Sequence, residues 1–236
     1  MTLYDERFGL QVRSLGIVPY QTALKLQSAL VSDRKAGRIP DVLLLLQHPH
    51  VITLGVRARR SRTNVLVSSS ELANRGIELH EVSRGGDVTY HGPGQLVGYP
   101  ILNLSPDRCD VHRYVRDLEE VLIRTVRAFD VSATRVAGFT GAWVGNRKVA
   151  AIGVRLSRWV TSHGFALNIN PNLDYFKLIH PCGIRGSGVT SVAALTGQQV
   201  SVDEVEPILV REFVAVFGQS VLPIGVPTAT ISQTIS

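Results

Sequence analysis

The run "DVLLLLQ", residues 41 to 47, limits the folds open to this chain more than any other stretch. Five consecutive apolar residues lie between Pro40 and Pro49, too short a span for a helix and without the alternation of a half-exposed strand, so both faces of a strand here must be covered. Helices mixed irregularly among the strands can supply that cover. The expectation is an α/β or α+β fold, a mixed β-sheet flanked by helices. The helices are legible. "PYQTALKLQSAL" puts Tyr20, Ala23, Leu24, Leu30 and Val31 on one face, with Gly37 to end the helix. A clearer one runs from about 110 to 129, where Val111, Tyr114, Val115, Leu118, Leu122, Thr125, Val126 and Phe129 repeat at three and four residues behind the cap Asp110. Ser68 with Glu71, and Ser201 with Glu204, read as capping boxes, the second opening a last helix that ends near Gly218.

Between the helices lie strands. "VITLG" at 51 to 55 is expected beside the apolar run, followed by "IELHEV" and "LVGYPILNL". "AWVGNRKVAAIGVRL" reads as a hairpin turning near Gly145 and Asn146, with "VTSHGFALNIN" as its next strand. At 236 residues and 44% hydrophobic content the chain can bury a full core. A single catalytic domain over residues 1–218 is expected. From Gln219 the chain is rich in Ser, Thr and Pro and lacks either period, which reads as a loosely ordered tail, 219–236.

Charge narrows the partners. Twenty-five Lys and Arg against 19 Asp and Glu give +6, which favours an acidic partner. The one tight basic cluster, "RARRSR" at 57 to 62, is either a solvated loop or a docking point. No zinc-finger, RNA-recognition or helix-turn-helix signature accompanies it, so nucleic acid is not expected. The opening "MTLYDERFGL" carries charges where a signal peptide is apolar, and no apolar stretch approaches the roughly 18 residues of a membrane span. A cytoplasmic protein is expected, with no membrane attachment. Cys109 and Cys182 stand 73 positions apart and form no C-x-x-C; neither a structural disulfide nor a metal site is expected.

Chemistry can reside in three places. "RGGDVTYHGPGQL", residues 84 to 96, holds four glycines and is either a loop that lets backbone approach a ligand or a tight connection; it matches no phosphate-binding pattern. His91, and His163 in "TSHGFALNIN", are each a general base or a structural hydrogen-bonding group, with no carboxylate at triad spacing. "LIHPCGIRGSGVTSV", 178 to 192, holds Cys182. It is either an accessible thiol activated by the N–H groups of Gly183 and its successors, or a small hydrophobe at a turn. Lys148 follows the hairpin turn. It points along an apolar strand, where desolvation lowers its pKa and lets it serve a thiol, or it is a solvated tip. Cys109, between Arg108 and Asp110, reads as incidental.

The blocks "HPHVITLG", "SRGGDVTYHGPGQLVGYPILNL", "GAWVGNRKVAAIGVRLSRWVTSHGFALNIN" and "IHPCGIRGSGVTSV" follow one another in the order found in the lipoyl(octanoyl) transferases, and over about residues 7 to 218 the chain resembles that family. The resemblance implies the biotin/lipoate protein ligase-like catalytic fold. It also implies transfer of an octanoyl group from octanoyl-acyl carrier protein to a lysine of apo lipoyl domains, those of 2-oxoacid dehydrogenase complexes and the glycine cleavage H protein. Cys182 would carry the acyl group as a thioester and Lys148 would be its acid and base, with no ATP, metal or other cofactor. Arg84, Gly85, Gly86, Asp87, Val88, Thr89, Tyr90 and His91 would line the acyl site, with Ala151, Ile152, Gly153, Gly164, Phe165 and Ala166. Arg57, Arg59, Arg60 and Arg62 would dock the acidic carriers, and the protein would act as a monomer. The stretch after Cys182 and Gly183 varies within the family, which leaves the roles of Gly186 and Ser187 open. The nearest alternative is an ATP-dependent lipoate or biotin protein ligase of the same fold, which needs no thiol; Cys182 argues against it. A non-catalytic basic binding module would leave the Cys182 and Lys148 blocks without a reason.

Overall fold

The computed structural model of the chain describes residues 9–58, 63–180 and 188–222. The apolar run forms β2 (Asp41–Gln47), and the two-residue period sends its side chains both ways. Leu43 and Leu45 join one buried cluster, Val42, Leu44 and Leu46 the other. β2 lies within an eight-stranded sheet. Its order is β1 (Leu10–Ile17), β2, β6 (Gln95–Ile101), β10 (Val160–Asn168), β9 (Arg147–Ser157), β8 (Phe139–Val144) and β7 (Thr134–Val136), with β11 (Gly188–Val189) also paired to β9. β1 runs parallel to β2 and β11 parallel to β9; the other neighbours are antiparallel. One face is covered by α3 (Val111–Arg127) and α5 (Val202–Phe217), through Tyr114, Leu118, Leu122 and Phe213. Ala23 and Leu30 of α1 (Tyr20–Lys35) cover the other. The mixed sheet flanked by helices is therefore as expected.

The strand "VITL" does not lie beside β2. As β3 (Val51–Leu54) it forms the middle of a separate sheet, parallel to β4 (Glu78–Glu81) and antiparallel to β5 (Val88–His91). Pro49 cannot donate to a ladder, and between the two strands the buried His48 ring bonds Val18 O at 2.6 Å and Tyr99 Oη at 2.8 Å. The glycine-rich segment is likewise not all loop: "VTYH" is β5, built from β-branched and aromatic residues between glycine-rich ends.

Asp110 accepts from Arg113 N at 3.0 Å, and both halves of the Ser201–Glu204 box are formed. Ser68 accepts from Glu71 N, opening α2 (Ser69–Asn74), but the Glu71 carboxylate is taken by Arg75 at 2.6 Å. On α1 the covered face is Tyr20, Ala23, Gln27 and Leu30, with Leu24 and Val31 half-buried. The beginning of the tail is not loose: Leu10 N donates to Ser220 O at 2.8 Å, Leu222 N to Leu10 O at 3.0 Å, and Gln219 Nε2 to Asp41 Oδ2 at 2.7 Å. Residues beyond 222 lie outside the described residues. Among the described residues no helix is long and apolar enough to cross a membrane.

Candidate active site

The hairpin of β8 and β9 is irregular where it matters. Val144 pairs with Arg147 and Trp143 with Lys148, but Ala142 pairs with Ala150, so one extra residue stands in β9. This is a β-bulge, a device that re-aims side chains. Val149 and Ala150 are both fully buried in the core. Lys148, which strict alternation would put on the face of Ala150, instead lines the same cavity as Ala151 and Gly153. Gly141 on β8 is held opposite the bulge by Glu119 of α3, whose Oε1 accepts the Gly141 N–H at 3.0 Å. That carboxylate is 1% exposed and paired with Arg116 at 2.6 Å and Arg135 at 3.3 Å.

Lys148 is half-buried, and its Nζ lies 4.7 Å from the centroid of the buried Trp143 ring, a cation–π arrangement. On the other side of β9, β11 takes the place that β10 leaves at Ala150. Thr190 N donates to Lys148 O at 3.0 Å and Gly188 N to Asn146 O at 3.3 Å. Upstream, His180 N donates to Asn64 O at 2.8 Å. Cys182, Gly183, Gly186 and Ser187 lie outside the described residues. Cys109 is exposed just before α3.

A cavity of about 470 Å³ opens beside Lys148. It is lined by Arg84, Gly85, Gly86, Asp87, Val88, Thr89 and His91, by Ala151, Ile152 and Gly153, and by Gly164, Phe165 and Ala166. Tyr90 is not on its wall. Period-two geometry turns Tyr90 to the other face of β5, where its Oη bonds His50 Nδ1 at 2.7 Å and its ring meets Tyr175 and Phe176. The walls approach closely because two glycines permit it. A Cβ on Gly153 would stand 3.0 Å from Gly85 O, and one on Gly164 only 2.1 Å from Gly98 O. Gly85 N donates to Val154 O at 2.9 Å, fastening the glycine-rich segment to β9. Of the four docking arginines expected, Arg57 lines the cavity; Arg59, Arg60 and Arg62 lie outside the described residues.

The polar groups of the wall are mostly committed. Asp87 accepts from Asn64 Nδ2 and from Val88 N, both at 2.8 Å. The buried Arg84 guanidinium donates to Thr53 O at 2.8 Å and to Gly85 O at 3.1 Å. A chain of side-chain amides crosses the floor: Gln95 Nε2 donates to Asn168 Oδ1 at 2.8 Å, and Asn168 Nδ2 to Thr190 O at 2.9 Å. Gln95 thus offers its oxygen to His91, 2.7 Å away, so the His91 proton sits on Nδ1 and Nε2 is an acceptor. Burial, and then the nearby His48, push His91 down to about 3. Burial and the Arg84 guanidinium push His163 down to about 4, and burial takes His48 to about 4 against the Val18 hydrogen bond. Burial raises the Tyr20 hydroxyl to about 12. All four are uncharged at neutral pH. Sequence reasoning missed Tyr20, Gln95, Tyr99, Trp143 and Asn168 here, and Glu119 behind them; a polar residue at an inward position of a buried strand, as Gln95 and Asn168 are, was the available signal.

A partly apolar cavity whose histidines are neutral and which ends at a re-aimed lysine suits an enzyme that handles an acyl chain. The model of the lipoyl protein ligase A/B catalytic domain matches residues 19–214, and the chain belongs to that family. The octanoyltransferase of Koribacter versatilis is 51% identical over 218 residues, covering 90% of this chain and 86% of that protein. The octanoyltransferase of Myxococcus xanthus is 46% identical over 229 residues, 94% of this chain but 64% of its own length. With such relatives the chain is an acyltransferase. A crystal structure of lipoate-protein ligase A bound with ATP superposes with a TM-score of 0.69 at 18% identity, covering 91% of this chain and 87% of that one; the likeness establishes the shared fold.

Proposed function

We propose that this acyltransferase moves an octanoyl group from octanoyl-acyl carrier protein to a specific lysine of apo lipoyl domains, through a thioester on Cys182 with Lys148 as acid and base. The observation that carries the reading is the setting of Lys148, which a bulge turns into an acyl-sized cavity and whose carbonyl accepts from Thr190 N, within the same sequence block as Cys182. Lys148 takes the thiol proton, and the thiolate attacks the donor carbonyl. As the tetrahedral intermediate collapses, the bond to the donor sulfur breaks and that thiolate recovers the proton from Lys148. In the second half the acceptor amine attacks the acyl-enzyme. A C–N bond forms, the C–S bond to Cys182 breaks, and an amine proton passes through Lys148 to the leaving thiolate.

Exchange of one thioester for another is nearly balanced in free energy, and amide formation runs downhill, so the sequence needs neither ATP nor a metal. Relatives named octanoyltransferase support the acyl group. A charge of +6, with Arg57 at the cavity, suits acidic carriers. The acceptors would be the lipoyl domains of 2-oxoacid dehydrogenase complexes and of the glycine cleavage H protein, met by a monomer in the cytoplasm.

The test is intact-protein mass spectrometry after mixing the enzyme with octanoyl-acyl carrier protein and no ATP. The expected result is a gain of one octanoyl group that hydroxylamine removes and that Cys182→Ala lacks. If modification of a lipoyl domain instead requires free octanoic acid and ATP, the protein is a ligase and the thioester scheme fails.

A further inference from the structure

One stretch of the cavity wall, where β9 and β10 run side by side, has a definite length. Ala151, Ile152, Gly153 and Val154 of β9 pair in order with Ala166, Phe165, Gly164 and His163 of β10. At about 3.3 Å per residue, the three steps from Ala151 to Val154 cover about 10 Å. Seven carbon–carbon bonds of about 1.5 Å each, in an extended zigzag, span about 9 Å. Lys148 stands at the Ala151 end of this bed, across the bulge. His163 stands at the other.

His163 is 3% exposed and lines the cavity. Its backbone has φ +54°, a region that non-glycine residues occupy only when their surroundings impose it. The imposing contact is visible: Gln27 Oε1, reaching from α1, accepts the His163 N–H at 2.8 Å, and the β10 ladder to β6 begins only at Phe165. Beside the His163 ring stands Tyr99, which also lines the cavity, at 6.5 Å between centroids and edge-on, with its own hydroxyl bonded to His48. The end of the bed is therefore a polar ring held in place from its backbone, not a flexible aliphatic side chain that repacks around a longer guest.

We propose that His163 is the chain-length stop of the acyl cavity: an eight-carbon chain whose carbonyl lies at Lys148 ends against its ring, and a chain two carbons longer must displace it. This inference rests on the acyl-transfer reading above. A longer chain would push apolar carbon against a buried polar ring and its tyrosine support, an unfavourable exchange.

The experiment measures kcat/KM for the full-length enzyme with acyl carrier protein loaded with hexanoyl, octanoyl, decanoyl or dodecanoyl groups, and an apo lipoyl domain as acceptor. For the wild type a fall of at least about tenfold is expected from octanoyl to decanoyl, given what one or two methylenes are worth at a rigid wall. His163→Gly removes the ring and suits a positive φ; it is expected to raise the decanoyl-to-octanoyl ratio by about tenfold, and His163→Asn by less. Thermal melting verifies that both variants fold. A flat wild-type profile from octanoyl to dodecanoyl overturns the proposal without any variant, as does an unchanged ratio in both folded variants. Either result, with octanoyl transfer intact and independent of ATP, leaves the acyl-transfer reading standing. Failure of the wild type to transfer from any loaded carrier removes that reading and the chain-length stop with it.

Discussion

At Lys148 the side chain is governed by two neighbours that no linear reading places together. Trp143 meets Nζ from across the hairpin at 4.7 Å, and Thr190 fixes the backbone at 3.0 Å. An arginine at 148 would keep the charge over the Trp143 face but could not give up a proton near neutral pH. Lys148→Arg is expected to lower transfer about 10²–10⁴-fold, the usual worth of a positioned acid–base group, with little change in melting temperature; single-turnover rates with octanoyl-acyl carrier protein would measure it. Retention of most of the rate would mean that Lys148 supplies charge alone. Trp143→Leu deletes a contact worth about 0.5–2 kcal/mol and should reduce the rate, while Trp143→Phe, which keeps an aromatic face, should restore part of it.

Among the elements, β9 and β10 do most to shape the site, and they do so through close backbone approach. Gly164 leaves no room for a side chain, since the nearest obstacle to a Cβ is the Gly98 carbonyl of the adjoining strand rather than a movable side chain. Gly164→Ala should therefore cost about 1–3 kcal/mol as an overpacking defect, which for a chain of this size lowers the melting temperature by about 2–4 °C per kcal/mol. An unchanged melting curve would show that β6 and β10 separate easily. At a distance from the site, Ser201→Ala opens the reciprocal cap of α5 and should cost about 1 kcal/mol without altering the acyl chain-length profile.

For the molecule as a whole, the buried histidines set an acid limit. His48, His91 and His163 have their protonation pushed down to about 4, 3 and 4 in the folded protein, against about 6.5 in the unfolded chain. The unfolded state therefore binds more protons as pH falls below about 6.5, and stability declines toward pH 4, each fully shifted histidine contributing up to about 1.4 kcal/mol per pH unit. Urea midpoints should be level from pH 8 to 7 and drop clearly by pH 5, and His48→Gln should flatten that slope. A midpoint independent of pH over this range would mean that the histidines are protonated, or hydrated, in the folded protein.

Much of this was legible in the chain because it follows from local rules. The doubly covered β2, the amphipathic α3, the caps at Asp110 and Ser201 and the turn at Gly145 each depend on a few adjacent residues and on periods that survive in one dimension. The resemblance carried by whole blocks supplied the family and about half of the cavity wall. Other features needed the third dimension. "VITL" is apolar whichever sheet it joins, and only the packing of β4 and β5 decides between them. Strict alternation assigns Lys148 to the core side of β9, and the bulge that reverses this is held by Glu119 from a helix more than twenty positions away in sequence. Tyr90 left the cavity wall for the same geometric reason that His91 stayed on it. Gln27 looks like a polar interruption of a helix face until His163 is found beneath it with its backbone turned. The sequence by itself determined the elements and the chemical types available to a site; the tertiary structure decided which of them face one cavity, because that depends on register and close approach between segments far apart in the chain.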